Sequence, residues 1–371
     1  MDVPRFPSFD ELQLDPALRE LILTKGGKAG VLEWLVKQDP SLPILRNTPL
    51  DNVTFREAKR LAKVCRVPVL CRSNNVCEYL PGTEGEFESI PVFEDDDSND
   101  ERNFSLLRTL PKNSMPHLAS HWPKIKKDLR FAVVDLVLDA YNCNLIEHPN
   151  AENTFWITFR DRSGSHETLL SNLLDRNASN GIEKFNPRAV DEILHVARKV
   201  SLMHGLDSRY AKQMEFVFDR KQVYLTQAKV FVPRDIRPEP KTEVHPRKSL
   251  YRSLGVFDVE VPLYDQKTRF SALKEVPEIG LVLNSPKDVK HMGHGYMPNI
   301  KVAIFEWADG LLTHFDIPYL LHAKGIAVGD RSSYAIDDRN RSEIISLTSL
   351  AGKKVRLRSD GHYLYARPVE S

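Results

Sequence analysis

The sequence has no uninterrupted apolar run of the roughly 18–20 residues that a membrane-spanning helix needs. Its first residues, Met1-Asp2-Val3-Pro4-Arg5, lack the basic-then-apolar order of a secretory leader, and a cytoplasmic location is expected. There are four cysteines, Cys65, Cys71, Cys77 and Cys143, and no two form a C-x-x-C pair. That spacing argues against a zinc site and for free thiols in a reducing compartment. There is little excess charge of either sign: the formal net charge is +1, so no global field draws nucleic acid or a membrane surface. No repeat of solenoid period is present. The chain has 371 residues, 41% hydrophobic and 28% charged. That balance is ordinary for a globular protein, and the length gives room for two or three domains, each with a core.

The first informative stretch lies within residues 9–38, which read as helix, turn, helix, with Leu12, Leu18, Leu21 and Ile22 on a partial apolar face. Thr24-Lys25-Gly26-Gly27-Lys28-Ala29-Gly30 opens the second helix. A glycine-rich turn at a helix start, with a lysine inside it, can cradle a phosphate; many such turns are only turns. After a helix over Phe55–Val64, Val67–Cys71 reads as a strand that runs into Arg72-Ser73-Asn74-Asn75. A planar guanidinium at a strand end suits phosphate oxygens, the alternative being a surface arginine before a loop. Glu94–Glu101 is an acidic run read as a solvated insertion. Leu129–Leu138 and Thr154–Phe159 have strand patterns, and Ser163–Gly181 is polar. Asn186–Met203 reads as a helix capped by Asn186, with Pro187 first and Val190, Ile193, Leu194, Ala197 and Val200 facing inward.

Gln213–Phe218 and Gln222–Val230 read as a hairpin around Asp219-Arg220-Lys221. A turn centred on Lys221 sets Glu215 opposite Gln227, with Lys229 two residues on along the same face. A carboxylate and an amide oxygen side by side suit Mg²⁺, a hard cation that keeps open positions for phosphate oxygens. An edge hairpin with exposed polar residues has the same pattern. Val232–Pro240 is proline-rich and charged and reads as a semi-rigid linker. Beyond it, Val256–Val261, Ile279–Asn284, Lys301–Phe305 and Lys354–Arg358 read as strands, with a turn at Asp360-Gly361. Between the third and fourth, Asp309–His314 leads into a short helix that Asp316 can cap, that Pro318 can open and that ends near Gly325. His314 thus stands before a helix N-terminus, where an anion is favoured, and a neutral imidazole can act as a nucleophile. An ordinary loop histidine is the alternative.

Four of these segments resemble, in order, those of the pyruvate phosphate dikinase, phosphoenolpyruvate synthase and rifampin phosphotransferase superfamily. The Lys28 turn resembles the Gly-Gly-Lys start of its ATP-binding domain. Arg72, Ser73, Glu78, Pro81, Gly82 and Gly85 match its Arg-Ser-Ser…Glu-Asp-x-Pro-Gly motif, with Tyr79 in place of the Asp and Glu86 in place of a Gln. Glu215, Gln227 and Lys229 match its Glu…Gln-Ala-Arg hairpin, with lysine replacing the arginine. Gly310, Thr313, His314, Gly325, Ile326, Val328 and Gly329 match its phosphohistidine segment, where Asp309 and Leu312 replace a Gly and a Thr. The resemblance implies ATP and Mg²⁺ as cofactors. It implies that Lys28, Arg72 and Lys229 contact phosphates, that Asp135 to Val137 form the hinge meeting the adenine, that Glu215 and Gln227 hold the metal, and that His314 carries the phosphoryl group.

The fold class expected is therefore α+β or α/β: an ATP-grasp-like nucleotide-binding domain over residues 1–231, a linker at 232–246, and a swivelling phosphohistidine β/α domain over 247–371. The activity expected is an ATP-dependent, dikinase-like phosphotransferase delivering to an unidentified small-molecule or protein acceptor. Neither nucleic acid nor membrane is expected as a partner, and the oligomeric state is open. A phosphoenolpyruvate barrel of over about 200 residues does not fit in the chain. Two other classes remain: a degenerate member that binds nucleotide without turnover, and an ATP-grasp ligase working through acyl phosphates.

Overall fold

The computed structural model describes residues 7–50, 54–80, 89–93, 129–138, 140–147, 154–161, 164–170, 186–219, 221–234, 251–265, 268, 273, 275–283, 299–306, 327–331 and 347–369. The chain divides into two compact units. One takes Phe6–Glu147 and Phe185–Phe231; the other takes Met1–Arg5, His148–Lys184 and Val232–Ser371.

The first unit opens with α1 (Pro16–Lys25) and α2 (Gly27–Gln38). Asp15 caps α1, its carboxylate accepting from the Ala17 and Leu18 N–H groups at 2.9 and 3.2 Å, with Pro16 at the first position. Gly26 joins the two helices at φ +92°, a left-handed backbone that glycine adopts without strain. After β1 (Asn47–Leu50) comes α3 (Phe55–Cys65), opened by a reciprocal Thr54–Glu57 capping box. Then follow β2 (Val69–Ser73), a 3-10 turn at Val76–Tyr79, β3 (Ser89–Val92), β4 (Phe131–Asp135) and β5 (Tyr141–Glu147). The order β1-β4-β2-β3 makes an antiparallel sheet. Ala58 and Ala62 of α3 bury themselves against Val69, Cys71, Ile90, Val92, Phe131 and Val133 of that sheet.

The chain then runs through β6 (Phe155–Asp161) and β7 (Gly164–Leu170), which belong to the second unit, and returns as α4 (Pro187–Ser201). The Asn186 side chain accepts from Arg188 N–H at 3.1 Å, and the five inward residues expected of this helix are all buried. β8 (Tyr210–Phe218) pairs antiparallel with β5, from Tyr141 opposite Phe218 to Ile146 opposite Gln213, and β9 (Val223–Pro233) follows. Val232 and Pro233 continue β9 rather than starting a linker, and residues 235–246 lie outside the described set.

In the second unit β6 and β7 form an antiparallel hairpin from Phe155–Leu170 to Asp161–Gly164. The polar stretch after Ser163 thus contributes a strand, its residues 164–170 held by main-chain pairing to β6. The other strands are β10 (Tyr251–Asp265), β11 (Ile279–Leu283), β12 (Ile300–Phe305), β13 (Ala327–Arg331) and β14 (Lys354–Pro368). They run in the order β11-β12-β13-β10-β14, and β10 also pairs with β11. β10 is long enough to meet β13 through Tyr251–Leu254 and β11 through Leu263–Asp265, so the sheet closes on itself. β11, β12 and β13 are parallel to one another, while β13 and β14 run antiparallel to β10. The core holds Val261, Leu263, Val282, Val302, Ile304, Val355 and Leu357. The turn expected at Asp360-Gly361 is a continuation of β14: Gly361 pairs with Gly255 and Asp360 with Val256, next to a bulge. The class is α+β, with an antiparallel sheet in one unit and a mixed one in the other. No helix among the described residues is long and apolar enough to cross a membrane.

Candidate functional site

Every described candidate residue lies in the first unit. Lys28 is the second residue of α2, at 8% exposure. Its backbone N–H and that of Ala29 both donate to Asn74 Oδ1 at 2.9 Å, and Gly27 N–H donates to the Asn75 carbonyl at 3.2 Å. Asn74 Nδ2 returns a bond to the Lys25 carbonyl at 2.5 Å. The N-terminus of α2 is thus capped from a distance by the chain leaving β2. The donors expected to cradle a phosphate at this turn are engaged by the protein itself.

The Lys28 amine is also committed. It donates to the Ser73 carbonyl at 3.2 Å and makes a short hydrogen-bonded ion pair with Glu78 Oε1. Glu78, on the 3-10 turn, further accepts from Ser73 Oγ and from Asn75 N–H, both at 2.7 Å. Burial pushes the Lys28 amine below its ordinary pKa, against the attraction of Glu78. The Arg72 and Glu215 charges also act on it.

Arg72 ends β2 at 8% exposure. Its Nη2 donates to Gln227 Oε1 at 2.7 Å and lies 4.0 Å from Glu215 Oε2. β8 and β9 supply these two oxygens. Their hairpin closes where Asp219 N–H donates to the Gln222 carbonyl at 3.1 Å, so the turn falls between those two residues rather than centring on Lys221. Glu215 and Gln227 still converge, on one guanidinium nitrogen. Lys229 is buried, its Nζ 5.8 Å from the Phe231 ring centroid. Its charge acts on the Cys77 thiol together with those of Glu78 and Lys28, and burial pushes that thiol up to about 12. Among the described residues, the cations Lys28, Arg72 and Lys229 thus share this neighbourhood with the carboxylates Glu78 and Glu215.

The residues test whether Mg²⁺ fits. A carboxylate and an amide oxygen already share a positively charged neighbour, the Arg72 nitrogen. That donor chemistry suits a hard cation completed by phosphate and water oxygens. No cluster of three His, Cys, Asp or Glu side chains able to hold a metal occurs among the described residues.

Asp135 ends β4 and Val137 follows it. The Asp135 carboxylate holds the Arg46 guanidinium, with Nε at 3.1 Å, while Leu136 N–H donates to the Pro68 carbonyl at 2.9 Å. Asp135 is therefore tied to Arg46, and Val137 stands half-buried after it. His314, with the helix expected after it, lies outside the described residues, as do His291, His294, His322 and the acidic run. The motifs alone gave no role to Asn74, Asn75 or Arg130. Asn75 and Glu78 do carry a sequence signal, the N-x-x-E spacing of a capping box.

No family model matches the sequence, and no curated protein does either. Among solved structures, the chain is similar to D-alanyl-alanine synthetase A from Vibrio cholerae, with 12% identity over 60% of this chain and 58% of that one, at a TM-score of 0.32. It is similar to an Aspergillus clavatus carboxyaminoimidazole ribonucleotide synthase complexed with ATP, with 11% identity over 59% and 48%, at 0.34. A third is an ATP-grasp ligase complexed with a precursor variant, Mg and ADP, with 10% identity over 58% and 52%, at 0.30. The chain spans about half the length of each of these. Likenesses at such scores carry no argument about family or reaction.

Proposed function

We propose that the first unit binds ATP with Mg²⁺ and that the chain is an ATP-dependent phosphotransferase. The observation that carries this is the convergence of Gln227 and the half-buried Glu215 on Arg72, at 2.7 and 4.0 Å, in a neighbourhood that also holds the buried Lys28 and Lys229. Such a group binds an anion that brings its own counter-cation. Glu215 and Gln227 would hold Mg²⁺, which when bound neutralises phosphate charge. Arg72, Lys28 and Lys229 bind the phosphate oxygens, and their burial strengthens each contact by excluding water.

The finer reading, resting on the motif order, is transfer through His314. A ring nitrogen forms an N–P bond as the P–O bond to the nucleotide breaks, and the displaced nucleotide phosphate leaves. The phosphoryl group then passes to a small-molecule or protein acceptor. A second reading, nucleotide binding without turnover, is favoured by one observation. Lys28 is already neutralised by Glu78, and the α2 N–H groups are already capped by Asn74 and Asn75.

Incubation with [γ-³²P]ATP and with [β-³²P]ATP separates these. Acid-labile, base-stable label on the protein supports the phosphotransferase. Tight ATP binding without label supports the second reading. ADP release only when a carboxylate and a nucleophile are both supplied points to an acyl-phosphate ligase. No binding of ATP at all overturns the site.

A further inference from the structure

The polar ledger around the end of β2 does not close. Arg72 uses Nη2 on Gln227, but its Nε–H is buried with no hydrogen-bond partner among the described residues. Asn75, at 2% exposure, spends Oδ1 on the Arg130 N–H at 2.9 Å, while its Nδ2 is buried and likewise unpartnered among them. Arg130 Nη1 is the third such atom. All three are donors. A buried donor left without an acceptor costs on the order of 1–3 kcal/mol, so native structures keep few without a reason.

The three residues lie close together on the sheet. Asn74 N–H donates to the Arg130 carbonyl at 2.9 Å, which extends the β2–β4 ladder beyond Ser73 and Phe131. Arg72 pairs with Ala132, two residues from Arg130, so strand alternation puts Arg72 and Arg130 on one face as diagonal neighbours. Asn75 adjoins Arg130 through its Oδ1, which accepts from the Arg130 N–H. Two of the three side chains are cationic, so the missing acceptor is an oxyanion. Among the described residues, Glu78 is engaged by Lys28, Ser73 and Asn75 N–H, and Glu215 lies 4.0 Å from Arg72 Nη2 rather than on any of the three donors.

We propose that Arg130, Asn75 and Arg72 form an oxyanion subsite at the C-terminal end of β2 that takes a phosphate group of the bound nucleotide, with Arg130 as a further binding residue. This rests on the nucleotide reading above and adds to it two residues that no motif marked. The guanidinium of Arg130 supplies a planar fork that a phosphate accepts in two places.

The test is calorimetric titration of the whole chain with MgATP, with inorganic triphosphate and with adenosine, for the wild type, Arg130→Gln, Arg130→Lys and Asn75→Asp. Asn75→Asp keeps the oxygen that Arg130 N–H needs and replaces the donor by a negatively charged oxygen, which repels a bound phosphate. Loss of a charge-assisted bond weakens MgATP and triphosphate roughly tenfold or more in Arg130→Gln and in Asn75→Asp. Adenosine affinity stays at the wild-type value, and Arg130→Lys falls between. Wild-type triphosphate affinity in Arg130→Gln overturns the subsite and leaves the nucleotide reading standing. Equal losses for adenosine and triphosphate also overturn it, since they mark a disturbed fold. If the wild type binds neither MgATP nor triphosphate, both readings fall together. Should Asn75→Asp not fold, the two Arg130 variants decide.

Discussion

Among the described residues, Arg72 reaches oxygens through Nη2, which faces a carboxylate and an amide from two different strands. A residue so placed brings toward one nitrogen two groups that a divalent cation could also bridge. Glu215 is the more exposed of the pair and the one that carries charge, so its removal tests the metal site with least harm to packing. In Glu215→Ala, Mg²⁺-dependent enhancement of ATP binding should disappear while the circular dichroism spectrum is unchanged. ATP affinity that still rises with Mg²⁺ as in the wild type would remove the hairpin as the metal site. Lys28 differs in kind. Its amine is buried beside Glu78, and taking away one member of such a pair leaves an uncompensated charge. A variant at Lys28 therefore confounds stability with binding, and the Glu215 variant is the cleaner probe.

At the scale of elements, α2 is set by contacts at both ends. At its start Asn74 accepts from two α2 N–H groups across an interval of about 45 residues. Asn74→Ala should lower unfolding free energy by about 1–3 kcal/mol in urea titrations; a loss below about 0.5 kcal/mol would show that the cap is dispensable. At its end Asp39 accepts from Ser41 Oγ and from Lys199 of α4, at 2.5 and 2.9 Å. The Ser41 hydroxyl, then Lys199, lower the Asp39 carboxyl to about 2. A depressed carboxylate stabilises above its unfolded value and loses that contribution as pH falls through the folded one. The melting-temperature difference between wild type and Asp39→Asn should thus be present above pH 4 and vanish on approach to about 2. A difference that persists unchanged at the acid end would contradict the assignment. These two ends also show what can be read in a sequence. The cap at Asn186 was legible because cap and helix are neighbours in the chain, and α4 was read with its buried face; the equally local caps at Asp15 and Thr54 were not read. Asn74 as a cap for α2 could not be read, because nothing local links it to Lys28. The strand continuing through Asp360-Gly361 was hidden for a related reason: the dipeptide favours a turn, and only pairing with Val256 and Gly255 overrides it. In the site, the charged residues were legible as motif members, but the ion pair that neutralises Lys28 and the unpartnered donor on Arg130 were not.

At the scale of the molecule, the described residues proposed to bind nucleotide all belong to the first unit, while His314, the proposed carrier, falls within the range of the second. On that proposal, binding and carriage are separable by mutation. His314→Ala should bind ATP within about twofold of wild type, a change of under about 0.5 kcal/mol, and should take up no label from ATP. Wild-type labelling in that variant would rule out His314 as the carrier; label found by mass spectrometry on His322, His291 or His294 would move the carrier and keep the chemistry. The division into units also bears on how the chain is made. The first unit is discontinuous, and β5 finds its partner β8 only after about seventy further residues have been added. At about 5–20 residues per second on a ribosome, that interval lasts on the order of 4 to 14 s. Throughout it the edge of β5 that pairs with β8, from Tyr141 to Ile146, lacks that partner. The nascent chain therefore passes through a defined window in which a chaperone, or a β5 from a neighbouring polysome, competes for the same strand edge.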